Sequence, residues 1–465
     1  MRSTDRIGGF LAVSLLVSLL TGHTAAQTSD EAGQGSRVQQ LERKVDALEQ
    51  QVRALGGARS RSNVVDANSR LGQEPARKSE PSVRIGGRLD FEFYDTNAQR
   101  SSFGVYGGNA FGANGGATQY RVRRMQLSLG MDLIEDLVFH SLLTLDPVVR
   151  DEDEGAVDID EAYIRFGHVG RNLFGFEDPT NTFIQAGNYF RWERDFLPRH
   201  SESFSLAGTA FYRDEVTGIQ IGGDTEEGLF YRLSMDNGSV LGARDAGVGQ
   251  RAGAGGIAVG NSPMIHDNEQ RGDLNDNKDF ALGLGYQTML EGPELQFAVA
   301  FSARAGRSSR ADRAFLATVS PGRFDGSRNK TRFGVLGMVE WDLEQVILGL
   351  SGEGWVGKDG NASRDSFSLS PYVRLPLDGV YYEERRFFTH VGAAYRFSYL
   401  HQSKGLANSS SLATMILADR HGHTLSVWLE VTNNVNLRLE MNNNDSRATG
   451  VGTETEWLLQ WGVRF

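Results

Sequence analysis

The sequence contains no cysteine, which excludes disulfides and thiolate metal sites. Proline is scarce, at 10 of 465 residues. Lysine is scarcer still: Lys44, Lys78, Lys278, Lys330, Lys358 and Lys404 are the only six among 48 basic side chains. Arginine supplies the rest, and its permanent charge and planar fork suit oxyanions. The formal net charge is −11, which argues against nucleic acid as a partner. Beyond the N-terminal region no stretch approaches the roughly 18 consecutive apolar residues of a membrane-spanning helix. No nucleophile elbow or zinc-protease helix is found, and the glycine-rich run 252–256 lacks the Gly-Lys-Ser/Thr of a phosphate loop. The expectation is a protein without enzymatic activity, cofactor or bound metal.

What is abundant is glycine, at 56 residues, with aromatics at 10%. Residues 1–26 read as a secretory signal. Arg2 and Arg6 precede an apolar run from Ile7 to Leu20 that is too short to span a bilayer, and Thr24, Ala25 and Ala26 offer small residues for cleavage before Gln27. Val38, Leu41, Val45, Leu48, Val52 and Leu55 are spaced 3, 4, 3, 4, 3, which makes an a/d seam. Residues 27–57 are therefore expected to form a short α-helical coiled coil for self-association. Val at a and Leu at d lean toward dimers, although an attached domain could impose three. Residues 58–82 read as a polar linker.

From residue 83 onward the pattern changes to period two. Val83, Ile85, Leu89, Phe91 and Phe93 alternate with Arg84, Arg88, Asp90 and Glu92. Similar segments follow at about 120–133, 136–147, 158–167, 182–191, 208–223, 228–237, 279–290, 294–306, 330–343, 345–356, 366–377, 386–399, 422–432, 435–444 and 455–465, giving sixteen in all. Short turns alternate with long polar loops such as 96–117, 238–278, 307–329 and 400–421. The fold class expected for 83–465 is all-β, a 16-stranded antiparallel transmembrane β-barrel. Trp457, Trp461 and Phe465 share the lipid-facing side of the last strand, and resemble the signal read by outer-membrane assembly machinery.

Assigning the apolar face of each strand to lipid sends Arg84, Arg88, Arg124, Arg165, Arg191, Arg232, Arg304, Arg332, Arg374, Arg396, Arg438 and Arg464 to the lumen. Lipid-facing arginine at mid-depth costs about 2–4 kcal/mol, so this sorting is expected of any barrel. Arg88, Arg124, Arg165, Arg232, Arg374, Arg396 and Arg438 lie well inside their strands and are the candidates for an anion path. The alternative role for each is pairing with an inward acid: Asp90, Glu92, Asp132, Glu161, Asp236, Glu340, Glu353, Glu430 or Glu440. By strand count, residues 192–207 form the third long loop. With Arg191, Arg194, Arg199 and His200, this segment is the candidate constriction, because rings of basic side chains suit anion pores.

The chain resembles the phosphate-selective porin O and P family. The runs that carry the resemblance are Ile85–Asp90 (Ile-Gly-Gly-Arg-Leu-Asp), Arg123–Leu129 (Arg-Arg-Met-Gln-Leu-Ser-Leu), Asp160–Arg165 (Asp-Glu-Ala-Tyr-Ile-Arg), Gln185–Phe190 (Gln-Ala-Gly-Asn-Tyr-Phe), Arg213 with Gly218–Gly222, and Tyr231–Gly238. The resemblance implies a homotrimeric, sixteen-stranded diffusion channel in the outer membrane of a Gram-negative-type bacterium, with the coiled coil in the periplasm. Its implied partners are further copies of the chain, the lipid bilayer and lipopolysaccharide, the assembly machinery and small anionic solutes. Phosphate-specific members add a lysine cluster, which six lysines do not supply, so the solute stays open between phosphate-like and carboxylate ions.

Competing readings are a weakly selective or cation-preferring porin, a barrel enzyme using a rim histidine such as His140 or His390, and a cell-wall tether. Weaker signals are the alternating oxygens of Asp273, Asn275, Asn277 and Asp279, the acidic tip 151–154, which could bridge to lipopolysaccharide phosphates, and the pair His421 and His423. The first and last lack the further ligands that a metal site needs.

Overall fold

The computed structural model describes residues 81–96, 117–145, 157–245, 263–268, 278–290, 294–320, 322–343, 345–377, 381–382, 385–386, 388–404, 417–432, 434–447 and 453–465. The expected signal segment, the heptad seam Val38–Leu55, most of the linker, the acidic tip 151–154 and the run 252–256 lie outside the described residues.

Sixteen strands close into one antiparallel barrel. In chain order they are β1 (Ser82–Thr96), β2 (Ala117–Ile134), β3 (Leu137–Leu145), β4 (Val157–Phe166), β5 (Phe183–Phe190), β6 (Glu215–Asp224) and β7 (Leu229–Asp236). A separate hairpin follows, β8 (Val240–Asp245) and β9 (Pro263–Asn268). The barrel resumes with β10 (Asp279–Leu290), β11 (Leu295–Arg307), β12 (Asn329–Asp342), β13 (Ile347–Asp359) and β14 (Ala362–Pro376). A small ladder, β15 (Tyr381–Tyr382) and β16 (Arg385–Arg386), precedes β17 (His390–Lys404), β18 (Arg420–Thr432), β19 (Val435–Ser446) and β20 (Glu454–Arg464). Three short helices interrupt the connections: α1 (Glu193–Phe196), α2 (Leu206–Phe211) and α3 (Arg310–Val319).

Every expected strand is present, with one correction. The sixth was expected from residue 208, but Leu206–Phe211 is helical and the strand starts at Glu215. Ser205 caps that helix, its hydroxyl accepting from the Gly208 N–H at 2.8 Å. All six residues of the helix are buried, so tertiary burial decides their conformation over local alternation. The loop expected at 238–278 likewise holds the β8–β9 hairpin.

The in/out code is clear. Phe91, Ile219, Phe301, Phe333, Phe367, Leu439 and Trp461 are exposed on the outer face, while Asp90, Glu92, Arg304, Arg332, Glu440 and Gln460 are buried within. An apolar outer belt with charges confined to the interior is a membrane-spanning barrel's solution. Leu458, the apolar residue on the polar face of the last strand, is fully buried inward against Tyr94.

The barrel closes by pairing β20 with β1, from Arg88 opposite Arg464 to Thr96 opposite Glu456. Beyond the ladder, Gly87 and Phe465 exchange two backbone bonds, N–H to O at 2.8 and 3.0 Å. A Cβ at Gly87 would lie 2.4 Å from the Phe465 ring, so only glycine lets the ring cross the seam. Each such bond contributes about 0.5–1.5 kcal/mol net. Deleting Phe465 is therefore expected to lower the yield of folded, heat-modifiable barrel on electrophoresis, while the barrels that do form keep wild-type conductance.

Candidate functional site

The connection between β5 and β6 folds into the barrel. Its apolar side is Trp192, Phe196, Leu206, Ala207, Ala210, Phe211 and Tyr212, packed with Phe230, Ala298, Ala300, Leu336, Met338 and Trp355 of the inner wall. Phe211 stacks on Trp355 with ring centroids 5.7 Å apart. This apolar patch inside an otherwise polar lumen is what draws the loop inward.

A buried loop must still satisfy its backbone. Glu440 of β19 accepts from the N–H groups of Glu202 and Ser203 at 2.5 and 3.2 Å and from the Ser203 hydroxyl at 2.8 Å. Arg396 of β17 donates to the Ser201 hydroxyl and to the carbonyls of Ser203 and Phe204, at 2.5, 2.8 and 3.0 Å. Ser205 donates to Glu353 at 2.5 Å. The loop is thus tied to strands remote from its own.

At its tip, Glu202 meets four guanidiniums. Oε1 receives Arg124 at 2.9 Å and Arg123 at 3.5 Å. Oε2 receives Arg88 and Arg438, each at 3.5 Å. Behind them Asp90 binds Arg88 at 2.8 Å and Arg124 at 3.0 Å, and Glu92 binds Arg123 at 3.4 Å. Burial disfavours charge on Glu202, but Arg124, Arg123, Arg88 and Arg438 outweigh it and hold its carboxyl well below the usual carboxylate range.

Arg123 was missed as an inward residue because alternation sends neighbours to opposite faces. The register shifts here: Asp90 pairs with Arg124, but Phe91 pairs with Val122. The bulge leaves Arg123 without an opposite residue and turns it inward beside Arg124. The cations of residues 191–200 give no sign that Glu202, a lone acid further along the loop, is the group that meets the wall.

The remaining expected residues are distributed differently. Arg165 lies over the Phe183 ring at 3.6 Å, and Arg232 pairs with Asp224 at 2.7 Å. Arg374 is half-buried. Arg191 is buried and donates to the Phe211 carbonyl. Arg194 and Arg199 cover aromatic faces, Arg194 that of Phe190 at 3.2 Å and Arg199 that of Phe204 at 4.0 Å. Asp279, of the oxygen-rich loop motif, is buried on Lys330 at 2.9 Å. His421 and His423 contact outer-face aromatics, with His423 Nδ1 2.7 Å from the Tyr395 hydroxyl.

His200 sits between Tyr372 and Trp428, with ring centroids 4.0 and 4.8 Å away. Burial, reinforced by Arg438 and Arg374, pushes its pKa down to about 3 from 6.5. The folded state therefore holds this ring neutral while the unfolded chain protonates it. Its stabilisation is complete above about pH 6.5 and is lost as pH falls toward 3. Replacing His200 with Phe should leave an apparent melting temperature that falls less between pH 7 and pH 4 than that of the wild type.

A second inward element is the β8–β9 hairpin. Asp267 of β9 accepts from Arg332 Nη2 and from Arg364 Nη2, both at 2.8 Å, and Asp359 accepts from the same two atoms at 2.9 and 3.3 Å. All four side chains are nearly inaccessible. The ring of two cations and two anions pins the hairpin to β12, β13 and β14. Removing one partner of a buried pair costs about 3–5 kcal/mol, so Asp267→Ala should lower the unfolding free energy by that order, measured as a lower denaturation midpoint.

No family model matches the chain, and no curated protein matches it. Among solved structures it is similar to OprB of Pseudomonas putida in a high-pH structure, at 10% identity over 86% of this chain and 96% of that one, with a TM-score of 0.50. It is also similar to the anion-selective porin of Comamonas acidovorans, at 10% identity over 83% of this chain and 100% of that one, with a TM-score of 0.48. OmpT of Vibrio cholerae in its trimer form is a third, at 8% identity over 83% and 99%, with a TM-score of 0.46. At these identities the likeness shows the fold alone. The chain has the outer-membrane porin fold.

Proposed function

We propose that the protein is a passive diffusion channel of the outer membrane with a bias toward small anionic solutes. The observation that carries this reading is the cluster of Arg88, Arg123, Arg124 and Arg438 where the inward loop meets the far wall. These side chains are 23, 15, 21 and 13% exposed, while their acids Asp90 and Glu92 are 0% exposed. At this cluster, water thus meets guanidinium edges and not the carboxylates of Asp90 and Glu92. A sixteen-stranded barrel is also too wide for wall side chains alone to fill.

Phosphate specificity finds less support than a general anion bias. Among the described residues, Lys330 is buried on Asp279 and Lys278 donates to Asn237, so neither stands open as part of a lysine cluster. The resemblance to phosphate-selective porins is therefore carried forward as far as the channel and its anion preference. The homotrimer, the coiled coil as its periplasmic clamp, the contacts with lipopolysaccharide and the assembly role of Trp457, Trp461 and Phe465 belong to the same proposal.

A weakly selective channel is the second reading, favoured by the partnering of inward acids with inward arginines. Bilayer recordings separate the two. In a potassium chloride gradient the wild type should show a reversal potential on the chloride side. Replacing Arg88, Arg124 and Arg438 together with Gln should move it to the cation side, because Glu202 then stands without most of its counter-charge. Cation preference in the wild type would sink the anion bias, and absence of any conductance would sink the channel.

A further inference from the structure

The contacts of Glu202 divide into two kinds that do different work. Its backbone, with those of Ser203 and Phe204, is held by Glu440 and Arg396. Those bonds, with Ser205 on Glu353 and the apolar seat on Trp355, fix the loop without any help from the Glu202 side chain. That side chain instead occupies a site of another kind. Of the roughly four lone-pair directions of a carboxylate, Arg124 fills one at 2.9 Å, Arg88 and Arg438 donate at the longer distance of 3.5 Å, and Arg123 stands as an ion-pair partner at 3.5 Å. Charge decides what such a site would take. Arg88, Arg123, Arg124 and Arg438 carry four positive charges against Asp90 and Glu92, so two remain before Glu202 is counted and one after. Adjoining Arg396 and Glu440 add one charge of each sign and are both occupied by the loop backbone.

We propose that the four guanidiniums form a binding site for solute carboxylates and that Glu202 is its resident competitor, setting the selectivity and affinity of the channel. A solute carboxylate approaches the lumen-facing edges of the guanidiniums and takes over the hydrogen bonds that the Glu202 oxygens release. No covalent step is involved. The resident carboxylate has a clear purpose in a conduit, because conduction requires binding favourable enough to enter and weak enough to leave. Four guanidiniums opposed only by Asp90 and Glu92 would hold a dicarboxylate too long, and a third internal anion trims that affinity.

The inference rests on the channel reading, and succinate is the probe that separates the two. Calorimetric titration of the full-length, detergent-solubilised protein should show Glu202→Gln binding succinate about tenfold more tightly than wild type, as expected when one like charge leaves the site. Glu202→Asp keeps the charge but withdraws it by one methylene, and should fall between the two. It also provides the comparison where the Gln variant folds poorly. Glu340→Gln removes another inward acid, one bonded to Tyr372 at 2.8 Å and outside the cluster. It should change succinate affinity by less than about threefold, since screening weakens distant charges. Unchanged affinity in both Glu202 variants, or an equal gain in Glu340→Gln, would overturn the proposal. Bilayer recordings judge the other reading independently. Succinate binding governed by Glu202 in a protein that passes no current would refute the channel alone, and a conducting channel indifferent to Glu202 would refute this proposal alone.

Discussion

A barrel wall in lipid can hide no charge on its outer face, and every other feature of this protein follows from that restriction. Arginine and carboxylate side chains must point inward, where they meet one another across a confined space. Once inside, each must find water or a partner, because an unpaired buried charge costs more than the fold can spare. The lumen accordingly holds two kinds of ionic group. One kind is buried and paired, as in Arg332, Arg364, Asp267 and Asp359. The other is left with an open edge toward water, as in Arg88 and Arg124. The first kind builds the wall and pins the hairpin; the second presents its charge to water.

The same restriction explains why the inward loop can sit where it does. Residues such as Ala298, Ala300, Leu336 and Trp355 occupy lumen-facing positions that alternation alone would assign to polar side chains. They make a dry seat for Trp192, Phe196 and Phe211, and burying that surface drives the loop off the rim. The polar half of the loop then reaches Glu440 and Arg396 on strands remote from its own. Apolar burial places the loop, while hydrogen bonding to the far wall gives it one register.

Much of this was legible from period and composition. The sixteen strands and their alternation follow from a two-residue repeat whose violation is expensive. Residues 208–211 fit the start of a strand as well as the end of a helix, and only the capping by Ser205 and burial in the lumen decide between them. His200 was grouped with the loop cations, yet stacking on Tyr372 and Trp428 removes it from solvent and keeps it neutral. Neither environment exists until strands distant in sequence come together. Arg123 is the sharpest case: one unpaired residue in the register of β2 against β1 reverses its direction, and a bulge leaves no trace in the pattern of side-chain types.

That bulge also explains how the cluster reaches its charge. On a regular strand only alternate residues face the lumen, so consecutive arginines cannot both serve one site. Shifting the register lets Arg123 and Arg124 share a single carboxylate oxygen of Glu202. Arg88 and Arg438 approach the other oxygen from β1 and β19, which flank the closing strand β20 on either side. The cluster therefore sits beside the seam that closes the barrel and shares strand β1 with it. Strands held by full ladders are rigid supports, and rigid supports keep four like charges close enough to act on one anion. The loop contributes only the anion. The cluster thus has its cations fixed in the wall and a counter-charge on a single loop side chain, so the proposed selectivity would depend on the occupancy of one carboxylate position more than on movement of the loop.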